Sequence, residues 1–245
     1  MNPDLLDEPM TPGPKGEQAG PHSAWWPYVL PMAVFLALTT LEGYLPRLDG
    51  QTHPTWYPLV YALKVVIVLA TMGLGWRVFR DLWPLPNRAG WALAVGTGLL
   101  VAVGWVGLEQ IPYPKIAAAG TRQAFDPFVL GGWKCVAFLC VRLFGMVLMV
   151  PVMEELFWRS FLIRWLIDPD FGRVPMGRVT LQAAVITSGL FALAHPEWLP
   201  ALLTGLAWAG LLARTKSLSA CVVSHAVANL ALAVYVLATR DWRFW

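Results

Sequence analysis

Glu154, Glu155 and Arg159 place three charges within six consecutive positions of Pro151-Val-Met-Glu-Glu-Leu-Phe-Trp-Arg159, in the middle of an apolar run. An ionisable side chain in hydrocarbon costs at least about 2.5 to 3.5 kcal/mol on insertion scales, so this density calls for a partner network and suggests a function. On a helix, Glu155 and Arg159 are four apart, share a face and can pair. Glu154 is rotated from that face by about 100°. One carboxylate is therefore expected to be neutralised locally, and the other is left for chemistry.

Other polar residues in the second half of the chain can complete a site. Phe191-Ala-Leu-Ala-His195 ends an apolar stretch with a histidine, and Ser224-His225-Ala-Val-Ala-Asn229 puts His225 and Asn229 on one face of the last one. At about 1.5 Å per residue, Glu154 lies about 18 Å from the nearest basic loop, His195 about 25 Å, His225 about 13 Å and Asn229 about 20 Å. Helix tilt absorbs such differences. Taken singly, a histidine or asparagine in a helix has an ordinary explanation, a hydrogen bond between helices worth about 0.6 kcal/mol. Taken together with the glutamate pair, they bring carboxylate, imidazole and carboxamide to similar depth, the arrangement that a buried active site needs. Glu42, Lys64, Lys134 and Arg142 are isolated and near span ends, where snorkelling or a single interhelical partner accounts for them.

The elements that must position these groups are membrane helices. The chain has 245 residues, 57% hydrophobic and 13% charged, against roughly 25% charged in a soluble domain. Apolar spans are expected at 27 to 46, 57 to 79, 90 to 108, 132 to 166, 179 to 195, 198 to 213 and 218 to 238. The fold class is all-α, a polytopic transmembrane bundle of seven to eight helices, the higher number applying if the fourth span is two helices. That span is too long for one perpendicular crossing, and Pro151 predicts a kink or break in it. Most of the 14 Trp residues sit near span ends, where an indole suits the headgroup region.

Basic residues set the orientation. Arg77, Arg80 and Arg88, then Arg164, Arg173 and Arg178, then Arg214 and Lys216 mark alternate loops, which are expected to be cytoplasmic. Lys115, Arg122, Arg240 and Arg243 lessen the contrast. The net charge of +3 is small and scattered, which argues against a nucleic-acid partner. Cys135, Cys140 and Cys221 lack metal-type spacing and are expected to be small buried hydrophobes. Residues 1 to 24, rich in Pro and Gly, are expected to form a disordered tail ahead of one transmembrane domain at 25 to 245.

Three ordered motifs carry a resemblance to a known family: Glu-Glu-x-x-x-Arg at Glu154, Glu155 and Arg159, Phe-x-x-x-His at Phe191 and His195, and His-x-x-x-Asn at His225 and Asn229. The set resembles the CAAX-type intramembrane proteases, also called the CPBP or Abi family, which includes the Rce1-type prenyl-protein endopeptidases. The likeness covers about residues 140 to 238, with 41 residues from Glu154 to His195 and 30 more to His225. It implies a helical bundle with an interior catalytic cavity. It also implies an endopeptidase in which Glu154 and His195 activate water while His225 and Asn229 stabilise the oxyanion, with Glu155 and Arg159 as a structural pair. Glu154, His195 and His225 could also serve as three ligands of a divalent metal such as zinc, although the His-Glu-x-x-His helix is absent and a metal-free site is favoured. The implied partners are membrane lipids and a membrane-associated protein or peptide, in a bacterial plasma membrane. Prenylated termini, bacteriocins, peptide pheromones and sorted surface proteins are candidate substrates, and the chain's general character resembles exosortase-associated members. The competing readings are a non-catalytic scaffold or bacteriocin-immunity protein of the same fold and, less favoured, a proton-coupled transporter.

Overall fold

The computed structural model describes residues 24 to 114 and 124 to 245. The expected N-terminal tail, together with Lys115 and Arg122, lies outside the described residues apart from Ala24. The described chain forms seven main helices: α1 (Trp26–Glu42), α2 (Trp56–Leu74), α3 (Arg88–Leu108), α4 (Gly132–Ile167), α5 (Leu181–Leu193), α6 (Trp198–Thr215) and α7 (Leu218–Thr239). The fold is an all-α bundle, and a two-residue hairpin, β1 (Arg47–Leu48) with β2 (Gln51–Thr52), decorates the α1–α2 connection. Helices α2, α3, α4 and α7 are long and apolar enough to cross a membrane; α1 and α5 are apolar but shorter. Large apolar side chains such as Leu63 and Val66 on α2 and Leu100 and Val103 on α3 point outward. Outward apolar faces of this kind suit lipid as the solvent.

Local chemistry sets the helix ends. Asn87 caps α3 by accepting from Gly90 N–H at 2.8 Å, and Thr180 caps α5 by accepting from Ala183 N–H at 3.2 Å. The second span was expected to run to 79 but α2 stops at Leu74, where Gly75 turns the chain into a 3-10 segment, Trp76–Leu82. A Cβ on residue 75 would lie 2.6 Å from Pro27 Cβ, so glycine is what allows this turn to sit against the start of α1.

No break occurs at Pro151. Instead α4 continues through two π-helical stretches, Gly145–Met149 and Leu156–Leu162, which bracket the α-helical Val150–Glu155. A π turn widens the helix and lets it carry a proline without parting, and such turns concentrate at functional sites. Counted with α4 as one continuous helix, the bundle has seven main helices among the described residues, within the expected seven to eight.

Contacts at the helix ends show strict alternation. Tyr28 of α1, Asp81 after α2 and Arg164 near the end of α4 meet at one face, with Tyr28 OH and Arg164 Nη2 each 2.8 Å from Asp81 Oδ2. Ser217 and Ser219, at the α6–α7 turn, donate to the carbonyls of Pro84 and Leu82 at the same face. Gly177, at φ +88°, lets the α4–α5 connection touch Lys216, where a Cβ would lie 2.7 Å from the lysine Cα. All three basic loops thus share one side of the bundle. At the opposite side Trp198 donates to Pro114 O at 2.7 Å, and Thr52 to Ala124 O at 2.9 Å.

Among the isolated charges, Glu42 and Lys64 pair across α1 and α2 at 2.6 Å, almost fully buried, and Lys64 also donates to Thr39 Oγ1 at 3.3 Å. Arg142 lies over the rings of Tyr61 and Trp245 at 4.6 and 5.6 Å. One cysteine expectation fails. Cys135 and Cys221 are buried, but Cys140 is exposed, because it lies on the outward face of α4 where a small apolar side chain meets lipid as readily as protein.

Candidate active site

The segment Val150–Glu155 delivers both glutamates to the interior, with Glu154 5% exposed and Glu155 0%. Their roles diverge immediately. Glu155 Oε1 accepts from Arg159 Nη1 at 3.2 Å, the expected pairing of residues four apart, and it lies 2.9 Å from His225 Nδ1 of α7. Arginine offers only donors, so an ionised Glu155 accepts from both neighbours, and the histidine proton then sits on Nδ1. Glu154 is turned away from this pair by the helix geometry.

Arg159 is enclosed more by aromatic faces than by oxygens. Its guanidinium carbon lies 4.9 Å from the centre of the Phe191 ring and 5.1 Å from that of Trp208. Its Nε and Nη2, and Glu155 Oε2, are buried with no hydrogen-bond partner among the described residues. Ring faces therefore supply much of the electrostatic compensation that water would give elsewhere.

Trp208 of α6 orients the other side of the cluster. It stacks on the His225 imidazole at 4.2 Å with 30° between planes, and its indole N–H donates to Ser224 Oγ at 3.0 Å. The imidazole is thus gripped on one face by a ring and at Nδ1 by a carboxylate, with Nε2 directed away from Glu155. The importance of Trp208 was not anticipated from sequence. A signal did exist: Trp208 lies ten residues from the start of α6 and seven from its end, far from the headgroup positions that suit most indoles.

His195 was expected at the end of the fifth helix. It lies beyond it, in the Ala194–Glu197 connection between α5 and α6. Pro196 explains the stop, since the residue preceding a proline is disfavoured in the α region. The ring is held by Nδ1 at 2.7 Å from Phe191 O, lies 4.4 Å from the Phe191 ring and meets Trp105 of α3 edge-on at 5.8 Å. At 13 residues α5 is about 20 Å long, so this non-helical turn falls within hydrocarbon depth, where irregular backbone must be covered by protein or line a cavity. Phe191 links the two halves of the cluster, touching His195 on one side and Arg159 on the other.

Asn229 lies one turn beyond His225 on α7, and its Nδ2 donates to the Met146 carbonyl of α4 at 2.8 Å. The close approach of α7 to α3 depends on Gly98, where a Cβ would lie 2.4 Å from the Ser224 carbonyl. Among the described residues no three His, Cys, Asp or Glu side chains gather closely enough to hold a metal ion. Glu154, His195 and His225 therefore do not fit a three-ligand zinc site as they stand.

The arrangement offers a buried carboxylate, a partly buried imidazole on an irregular turn, and a second, buried imidazole held by a carboxylate that an arginine in turn holds. Such groups can move a proton and meet developing negative charge. Searches among curated proteins and solved structures give no match to this chain. A family model does match, over residues 136–231, a span that contains all three motifs, and its description is "Type II CAAX prenyl endopeptidase Rce1-like". The likeness to the type II CAAX prenyl endopeptidase family is therefore carried by residues 136–231, the part of the chain that holds both glutamates, both histidines and Asn229.

Proposed function

We propose that this chain is an intramembrane endopeptidase that hydrolyses a peptide bond of a membrane-associated protein or peptide. The single observation that carries the reading is the buried Glu155–Arg159–His225 network beside Glu154, inside the span that the Rce1-like family model matches. A scaffold gains nothing from it, because burying ionic groups is at best neutral for stability compared with apolar packing.

In this reading Glu154, with His195, takes a proton from water as the oxygen attacks the scissile carbonyl. His225, whose Nδ1–H is held by Glu155, donates from Nε2 to the oxyanion when that nitrogen carries a proton as well, as it does in the imidazolium form. One such donor is worth about 3 to 4 kcal/mol in other hydrolases. The carbon–nitrogen bond then breaks, and the proton held at Glu154 passes to the departing amine, leaving a carboxylate and an amine as products. Arg159 touches neither water nor substrate; it holds Glu155 in place. No step requires a metal.

Family likeness makes a prenylated peptide with a CAAX terminus the first substrate to try. A bacterial plasma membrane, with the basic loops facing the cytoplasm, suits the charge distribution. The test uses purified protein in detergent with a farnesylated CAAX peptide, alongside comparison of membrane-protein termini in cells carrying wild type or Glu154→Gln. New termini that depend on Glu154 and His195 are expected. Equal cleavage by wild type and Glu154→Gln would sink the proposal.

A further inference from the structure

Two changes of hydrogen-bond pattern in α4 govern how its glutamates are presented. In the first π stretch Val150 N–H donates to the Gly145 carbonyl, five residues back. Continuing that pattern by one residue pairs the Met146 carbonyl with the nitrogen of residue 151. That residue is proline, which has no N–H to give. The sequence itself therefore orphans the Met146 carbonyl, at a depth where no bulk water can rescue it. Asn229 Nδ2, from α7, lies 2.8 Å from this oxygen.

We propose that Asn229 is a positioning residue whose carboxamide replaces the missing Pro151 N–H. The replacement does two things. It satisfies the π turn that sets the rotation of everything downstream, and one residue more or less in that turn swings Glu154 and Glu155 by about 100°. It also pins α4 to α7 one turn from His225, so the carboxylate that grips the imidazole and the imidazole itself are held in register. The role assigned to this asparagine thus differs from donation to the oxyanion. The hydrogen bond and its effect on stability stand whatever reaction the site performs; the kinetic arm alone rests on the endopeptidase reading.

A double-variant cycle on the purified full chain in detergent decides the matter. Asn229→Ala is expected to lower Tm by about 5 °C, as orphaning a buried carbonyl should in a chain of this size. Pro151→Ala alone is neutral or stabilising, since alanine is the better helix former and brings back an N–H. The combined variant is expected to recover most of the lost Tm, and most of any hydrolysis of the farnesylated CAAX peptide that Asn229→Ala loses, because the restored backbone N–H at position 151 now reaches Met146 O. Additive melting shifts overturn the proposal. So does a combined variant that regains stability while its hydrolysis stays at the level of Asn229→Ala, the result expected of an oxyanion donor. If Asn229→Ala alone does not fold, recovery of folded protein in the combined variant supports the proposal and its failure refutes it. A wild type inert on the peptide counts against the endopeptidase reading, and the melting cycle still decides the role of Asn229.

Discussion

Glu155→Ala separates the two adjacent glutamates more sharply than any other change. Arg159 and Glu155 are 1% and 0% exposed, so removing the carboxylate strands a guanidinium that neither water nor another acid can reach. Breaking one partner of a buried pair costs about 3 to 5 kcal/mol. The Phe191 and Trp208 rings lie 4.9 and 5.1 Å from the guanidinium and remain in place, returning part of that cost. At about 1 kcal/mol for the two faces together, the net loss is about 2 to 4 kcal/mol. For a chain of this size that corresponds to a fall of about 4 to 16 °C in melting temperature. The imidazole of His225 loses its anchor as well, so hydrolysis should fall with stability. Glu154→Gln keeps shape and removes only the base, so it should abolish hydrolysis while melting within about 2 °C of wild type. Thermal unfolding in one detergent, followed by tryptophan fluorescence, reads both variants. A Glu155→Ala protein that melts with the wild type refutes the division of labour, as does a Glu154→Gln protein that loses as much stability as Glu155→Ala.

Four other variants report on how the scaffold supports the cluster. Gly98→Ala must push α7 away from α3, because the new methyl would lie 2.4 Å from the Ser224 carbonyl; hydrolysis should drop at least about tenfold, measured as kcat on the peptide, since small misplacements of reacting groups are costly. Lys64→Ala strands Glu42 and should cost about 3 kcal/mol, whereas Lys64→Met combined with Glu42→Leu should melt at or above wild type, which a thermal scan of the two proteins checks. Trp208→Phe keeps a ring beside His225 but loses the bond to Ser224 at 3.0 Å; a loss of about 1 kcal/mol in stability and a lower kcat are expected, read by melting and by single-turnover hydrolysis.

The sequence made the helices legible because each buries or exposes a long apolar run, and hydropathy reads such runs directly. Boundaries were less legible where a single residue decides them. Gly75 ended α2 five residues before the expected limit, and Pro196 left His195 outside α5. Hydropathy could not foresee either, since glycine and proline act through backbone conformation and not through transfer energy. Among site residues, the Glu155–Arg159 pair followed from helical spacing alone. Its third member, His225, 70 residues away, did not, because no local rule links α4 to α7. The aromatic enclosure of Arg159 was hidden for the same reason: Phe191 and Trp208 look like ordinary apolar residues until the bundle brings their faces to a cation.

Pro151 shows why the remaining detail resists a sequence-only treatment. As an isolated signal it predicts a break, and in water a break would have been tolerable because solvent satisfies the freed groups. In a lipid-facing bundle the same residue is kept within a continuous helix, since parting the helix would expose several backbone groups to hydrocarbon. Widening to a π turn confines the deficit to one region of the backbone, and the chain has placed an asparagine of a different helix within 2.8 Å of the carbonyl concerned. A proline that looks like a structural fault in α4 thus couples the helix carrying the glutamates to the helix carrying His225. Replacing Pro151 with alanine in an otherwise native chain should therefore loosen the dependence on Asn229 without loosening the fold.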